Sequence, residues 1–169
     1  MFKYLGVLED LKLITREVPA TEANKLKSKR GIYKISDNFI KIWFQYVYPY
    51  KSNLEIGEYS EVIRKFRTGF PVLLCYSYEQ VCSEILKENQ KDIFSFERVG
   101  RWWDNDNEID IIGINGENKR IIFCECKWSS KDIGTNILND LIKKSKKVDW
   151  NNDKRKENFA LFSKSGYTE

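Results

Sequence analysis

The sequence has no histidine, three prolines and one methionine in 169 residues. Without an imidazole, no Ser-His-Asp or Cys-His nucleophilic centre can be built. Proton transfer falls to carboxylates, lysines or metal-bound water. The four cysteines, Cys75, Cys82, Cys124 and Cys126, form no Cys-x-x-Cys pair, and no histidine can complete a zinc site. All four are expected as buried thiols in a reducing cytosol, with Cys75 and Cys82 on one helix face. No run of about 18 apolar residues exists, which excludes a helical membrane span. Met1-Phe-Lys-Tyr-Leu-Gly6 lacks a signal-peptide pattern, so a cytoplasmic location is expected. There is no Gly-x-x-x-x-Gly-Lys-[Ser/Thr], hence no expected ATP site in this chain, and no internal repeat or low-complexity tract.

What remains suits one domain or two small ones. Apolar residues make up 41% and aromatics 14%, enough for a real core. The net charge of +4 is modest, but it is clustered. One basic cluster is Lys25, Lys27, Lys29, Arg30 and Lys34; another is Lys143, Lys144, Lys146, Lys147, Lys154, Arg155 and Lys156. Each alone reads as a solvated surface. Together, around a carboxylate site, they point to a polyanion partner.

The carboxylates lie in two strand-like runs, Glu108-Ile-Asp-Ile-Ile112 and Ile121-Ile-Phe-Cys-Glu-Cys-Lys-Trp128. A charge inside a buried run costs free energy unless something pairs with it. Alternation places Glu125 and Lys127 on one face, with Cys124 and Cys126 on the other. Acidic groups beside a lysine form a cation site with a proton-handling neighbour, an arrangement suited to metal-assisted phosphodiester hydrolysis. A purely structural ion pair is the alternative, and buried pairs are weak stabilisers. Glu108 is expected as the solvent-facing start of its strand.

Along the chain, residues 3–13 predict a helix, 14–18 a strand, 20–30 a basic loop and 31–35 a second strand. That order is the second half of a winged helix, whose first two helices would lie outside this chain. Ser36-Asp37 caps a helix to about Tyr48, with Phe39, Trp43, Tyr46 and Val47 as its core stripe. Residues 51–57 predict a linker and 59–67 a short helix before Gly69 and Pro71. A helix over about 71–89 follows, with Leu74, Tyr78, Val81 and Ile85 on one face and Glu79 beside it. Strands are expected at 93–103, 108–114 and 120–128, with turns at 104–107 and 115–118. A helix over 134–148 and a strand over 158–163 complete an α-β-β-β-α-β order, a mixed sheet with helices on both faces.

The order resembles the PD-(D/E)XK superfamily, with its restriction-endonuclease-like fold. Nearly the whole chain resembles the C-terminal part of archaeal-type ATPases, a partial winged helix (1–50) followed by a DUF234-type nuclease-like domain (51–169). The residues behind the resemblance are Tyr4-Leu-x-x-Leu8 running into Leu13-Ile-Thr-Arg-Glu-Val-Pro19, Gly31-Ile-Tyr-Lys-Ile-Ser-Asp37, Trp43-Phe-x-x-Val-Tyr-Pro49, Tyr78-Glu79, Val99-Gly-Arg-Trp-Trp103, Glu108-Ile-Asp110, Glu125-Cys-Lys127 and Leu161-Phe-Ser-Lys-Ser-Gly166. It implies Asp110, Glu125 and the main-chain carbonyl of Cys126 as ligands of Mg²⁺ or Mn²⁺, Lys127 to orient or deprotonate the attacking water, and Glu79 to complete the site. Ile109 stands where many members have proline. The expected function is metal-dependent DNA hydrolysis, with a non-catalytic DNA-binding or assembly module as the alternative. DNA is the expected partner, with an ATPase domain upstream or in trans. Its phosphates would meet Lys27, Lys29, Arg30, Lys143 and Lys147. Arg101 would contact a phosphate or form a surface salt bridge, and Trp102 and Trp103 would stack on bases or, more in keeping with their type, pack.

Overall fold

A computed structural model describes residues 2–168. The chain forms two compact units, Met1–Glu17 with Lys29–Leu73, and Val18–Ser28 with Leu74–Glu169.

The first unit opens with helix α1 (Phe2–Asp10), followed by strands β1 (Ile14–Glu17) and β2 (Ile32–Ile35), which pair antiparallel with Ile14 opposite Ile35. Helix α2 (Asn38–Ile42) begins where expected, the Asp37 carboxylate accepting from the Ile40 N–H at 2.9 Å. It runs through a widened turn (Trp43–Val47) and a tight turn at Tyr48–Tyr50 into α3 (Lys51–Glu55), so the expected linker at 51–57 is mostly helical. The expected core stripe is corrected as well. Tyr46 is buried, edge-on to Phe66 at 5.3 Å, whereas Phe39 and Trp43 are exposed. The widened turn breaks the 3.6-residue spacing on which that stripe was drawn.

Helix α4 (Ser60–Glu88) is continuous through Gly69 and Pro71, where two helices were expected. Proline removes one backbone hydrogen bond, a loss that the rest of a 29-residue helix outweighs.

The second unit is a four-stranded mixed sheet in the order β3-β4-β5-β6, formed by β3 (Arg98–Trp103), β4 (Glu108–Asn115), β5 (Arg120–Lys127) and β6 (Lys156–Ser163). The first three strands form an antiparallel meander; helix α6 (Thr135–Ser145) then returns the chain so that β6 runs parallel to β5. The expected strand at 93–103 starts late, because the short helix α5 (Gln90–Ile93) precedes it. Phe94 and Phe96 still pack together, at 4.8 Å.

The central strands carry two apolar layers. Ile112, Ile114, Ile121 and Phe123 pack with Leu141 of α6 and Val148; Ile111, Ile122, Cys124 and Cys126 pack with Cys82 and Leu86 of α4. The buried face of α4 is therefore Tyr78, Cys82 and Leu86, while Val81 and Ile85 are exposed. Cys75 is exposed too, against expectation: the seven-residue spacing to Cys82 is real, but the apolar layer begins only at Tyr78. Trp102 is 3% exposed and belongs to the core. The edge of β3 is covered by the buried segment Val18–Ala20, with the Ala20 N–H donating to the Arg101 carbonyl at 2.8 Å.

Candidate active site

The site begins with a bulge. Gly100 pairs with Ile112 and Trp102 with Ile109, so Asp110 and Ile111 together oppose Arg101 alone. Between β4 and β5 the last paired residues are Ile111 and Cys124, and one step further the register sets Asp110 opposite Glu125. Asp110 fills the gap in the ladder: the Cys126 N–H donates to its Oδ2 at 2.7 Å.

Glu125 is 5% exposed and faces the α6 layer. Two ammonium groups meet it. Lys127 Nζ lies 2.6 Å from Oε1, and Lys144 Nζ lies 3.2 Å from Oε1 and 3.1 Å from Oε2. Burial and the negative charge of Glu125 push the Asp110 carboxyl above its ordinary value, against the Cys126 hydrogen bond and the charges of Lys127 and Lys144. For Lys127, burial works to lower the pKa, but its hydrogen bond to Glu125 and the charges of Glu125 and Asp110 outweigh that and raise it. In this arrangement the ammonium form of Lys127 is favoured, held by Glu125. Behind the site, burial pushes the Cys124 and Cys126 thiols upward, so both stay neutral.

Asp110, Glu125, Cys126 and Lys127 are therefore brought together. Glu79 engages Arg101, with Oε2 3.8 Å from the guanidinium Nε. Arg101 also pairs with Glu108. Among the described residues, no three carboxylate, thiol or imidazole groups converge as a metal cluster. Lys143 on α6 is exposed and pairs with Asp140 at 2.9 Å; Lys147, Lys27 and Lys29 are exposed, and Arg30 is partly buried. Arg155, assigned above to a basic surface, is internal: its guanidinium donates to the carbonyls of Ser145, Val148 and Trp150 and to Glu157.

Lys144 is the site residue that sequence reasoning passed over as one charge in a cluster. Its signal is positional. Ile137, Leu141, Lys144 and Val148 share one helical stripe, and a charge on a core-facing stripe needs a buried partner.

Residues 43–147 match the DUF234 family, described as archaea bacterial proteins of unknown function. The matched span includes Asp110, Glu125, Lys127 and Lys144. An uncharacterized protein of Methanocaldococcus jannaschii is 37% identical over 151 residues, which is 86% of this chain and 33% of that protein. The chain thus spans about a third of that relative's length. No solved structure matches it. Among the described residues, no helix is long and apolar enough to cross a membrane.

Proposed function

The chain belongs to the DUF234 family, and from that footing we propose that its second unit is a divalent-metal-dependent DNA phosphodiesterase of the PD-(D/E)XK type. In this reading it forms, with a winged-helix remnant over residues 1–50, the C-terminal part of an archaeal-type ATPase. The supporting observation is the juxtaposition of two carboxylates at adjoining strand positions, with Asp110 raised by burial and by its neighbour's charge. Like charges set opposite one another across a sheet are destabilising, and a cation between them relieves that cost.

The donor set fits a small hard cation. Two carboxylates and a main-chain carbonyl leave several positions for water, as Mg²⁺ or Mn²⁺ prefers. When bound, such an ion would acidify a water and neutralise phosphate charge. Asp110 and Glu125 would hold it, with the Cys126 carbonyl as a further donor. The Lys127 ammonium orients the attacking water and hydrogen-bonds the phosphate. Lys144, now on Glu125, would turn to the substrate phosphate where such an ion took its place. Lys27, Lys29, Arg30, Lys143 and Lys147 contact the backbone and give affinity without sequence readout.

A second reading has its own support: both oxygens of Glu125 are already closed by ammonium groups, as in a non-catalytic DNA-binding or assembly module that keeps the fold. The deciding assay incubates supercoiled plasmid with the protein and Mg²⁺ or Mn²⁺, beside Lys127→Ala. Cation-dependent nicking that drops by about 10²-fold or more in the variant supports catalysis. Nicking that persists there sinks it. No nicking, but DNA retention falling steeply with salt, favours the binding module.

A further inference from the structure

β5 and β6 are parallel and end side by side, with Lys127 opposite Ser163. Ligands of such sheets bind beyond the carboxyl ends of the strands. The first residues past those ends are Trp128 and Lys164. The Lys164 N–H donates to the Lys127 carbonyl at 3.2 Å, and its ammonium lies 4.7 Å from the centroid of the Trp128 ring. Trp128 also rests against Tyr78 of α4, centroids 5.2 Å apart, yet stays 38% exposed. The loop beyond it is fastened: the Ser165 hydroxyl donates to the Ser129 carbonyl, and the Ile133 N–H donates to the Gly166 carbonyl at 3.1 Å. A large aromatic ring is thus held in a fixed frame at the carboxyl end of the sheet, on its α4 side, partly open to solvent and with a cation at its face.

We propose that Trp128, with Lys164 and Tyr78, is a stacking subsite for an unpaired nucleotide beyond the carboxyl ends of β5 and β6, so that the site takes single-stranded or splayed DNA in preference to uninterrupted duplex. The inference rests on the phosphodiesterase reading. An aromatic face accepts any base, but only a base out of its pair, and the Lys164 ammonium complements the adjoining phosphate.

The test measures anisotropy of a labelled oligo(dT) and of a duplex of equal length, with divalent cations chelated so that neither is cut. Wild type is expected to bind the single strand more tightly. Trp128→Ala should weaken that binding about 10-fold and leave duplex affinity unchanged, whereas Trp128→Phe should keep most of it. Unchanged oligo(dT) binding in Trp128→Ala overturns the subsite, and so does an equal loss on both probes, which marks a structural role. In either case duplex binding by wild type leaves the DNA reading standing. Binding of neither probe to wild type overturns both.

Discussion

Replacing Asp110 by asparagine keeps the shape and an oxygen to accept from the Cys126 N–H, but removes one of two neighbouring negative charges. At a cross-strand separation of about 5 Å and an effective dielectric of about 20, the Asp110–Glu125 repulsion is about 3 kcal/mol. Lys127 and Lys144 offset much of it, leaving a net gain of about 1 kcal/mol for Asp110→Asn near neutral pH. In a chain of this size that is a rise of roughly 2–4 °C in Tm by calorimetry. The pH dependence has a definite sign. The folded carboxyl is raised from 3.8, so the native state binds its proton more tightly than the unfolded chain. The contribution of Asp110 to wild-type stability is therefore greatest below that value and is lost as pH rises through the folded pKa. The variant lacks this slope, so its advantage vanishes at about pH 3, below the ordinary Asp pKa. A saturating divalent cation should reverse the ranking at neutral pH, since binding to the native state adds about 2.7 kcal/mol at a hundredfold excess over Kd. An Asp110→Asn protein that melts below wild type at neutral pH without cation would refute the reasoning, because the carboxylate would then be there for the stability of the strand pair.

Lys144→Met should tighten Mn²⁺ binding severalfold by calorimetric titration, because one of the two ammonium groups competing for Glu125 is gone; weaker binding would remove Lys144 from the site. Gly113→Ala should lower stability by about 1–3 kcal/mol in urea melts, since an added Cβ would come within 2.8 Å of Phe96 and 2.9 Å of Ile122 in the core. Arg155→Met should cost about 3 kcal/mol by the same measure, leaving the carbonyls of Ser145, Val148 and Trp150 without their donor. A loss below about 0.5 kcal/mol would return Arg155 to the ordinary surface residues.

The meander and the α6 crossover were legible because the central strands are apolar on both faces and end in turn residues. Asn115 and Asp104 fold those turns locally, Asp104 Oδ1 accepting from the Asn107 N–H at 2.6 Å and Asn115 Oδ1 from the Asn118 N–H at 2.8 Å. The candidate site was half legible. Asp110, Glu125 and Lys127 stood out because charges interrupt apolar strands. Lys144 did not, because one lysine among several on a helix shows its partner only once that helix has docked. The path of residues 38–73 was misread more widely. Proline and glycine predict breaks there, yet local propensity is weak beside the packing of a long helix.

By itself the sequence determined the order of elements from β3 onward, the alternation of faces along β5 and the chemistry available without histidine, since these follow from residue type and a two-residue period. Only the tertiary structure decided which charges meet. The bulge in β4 opens the ladder at Asp110 and the docking of α6 brings Lys144 onto Glu125, both set by packing between segments far apart in the chain. The same holds for Glu79, whose carboxylate is met by Arg101.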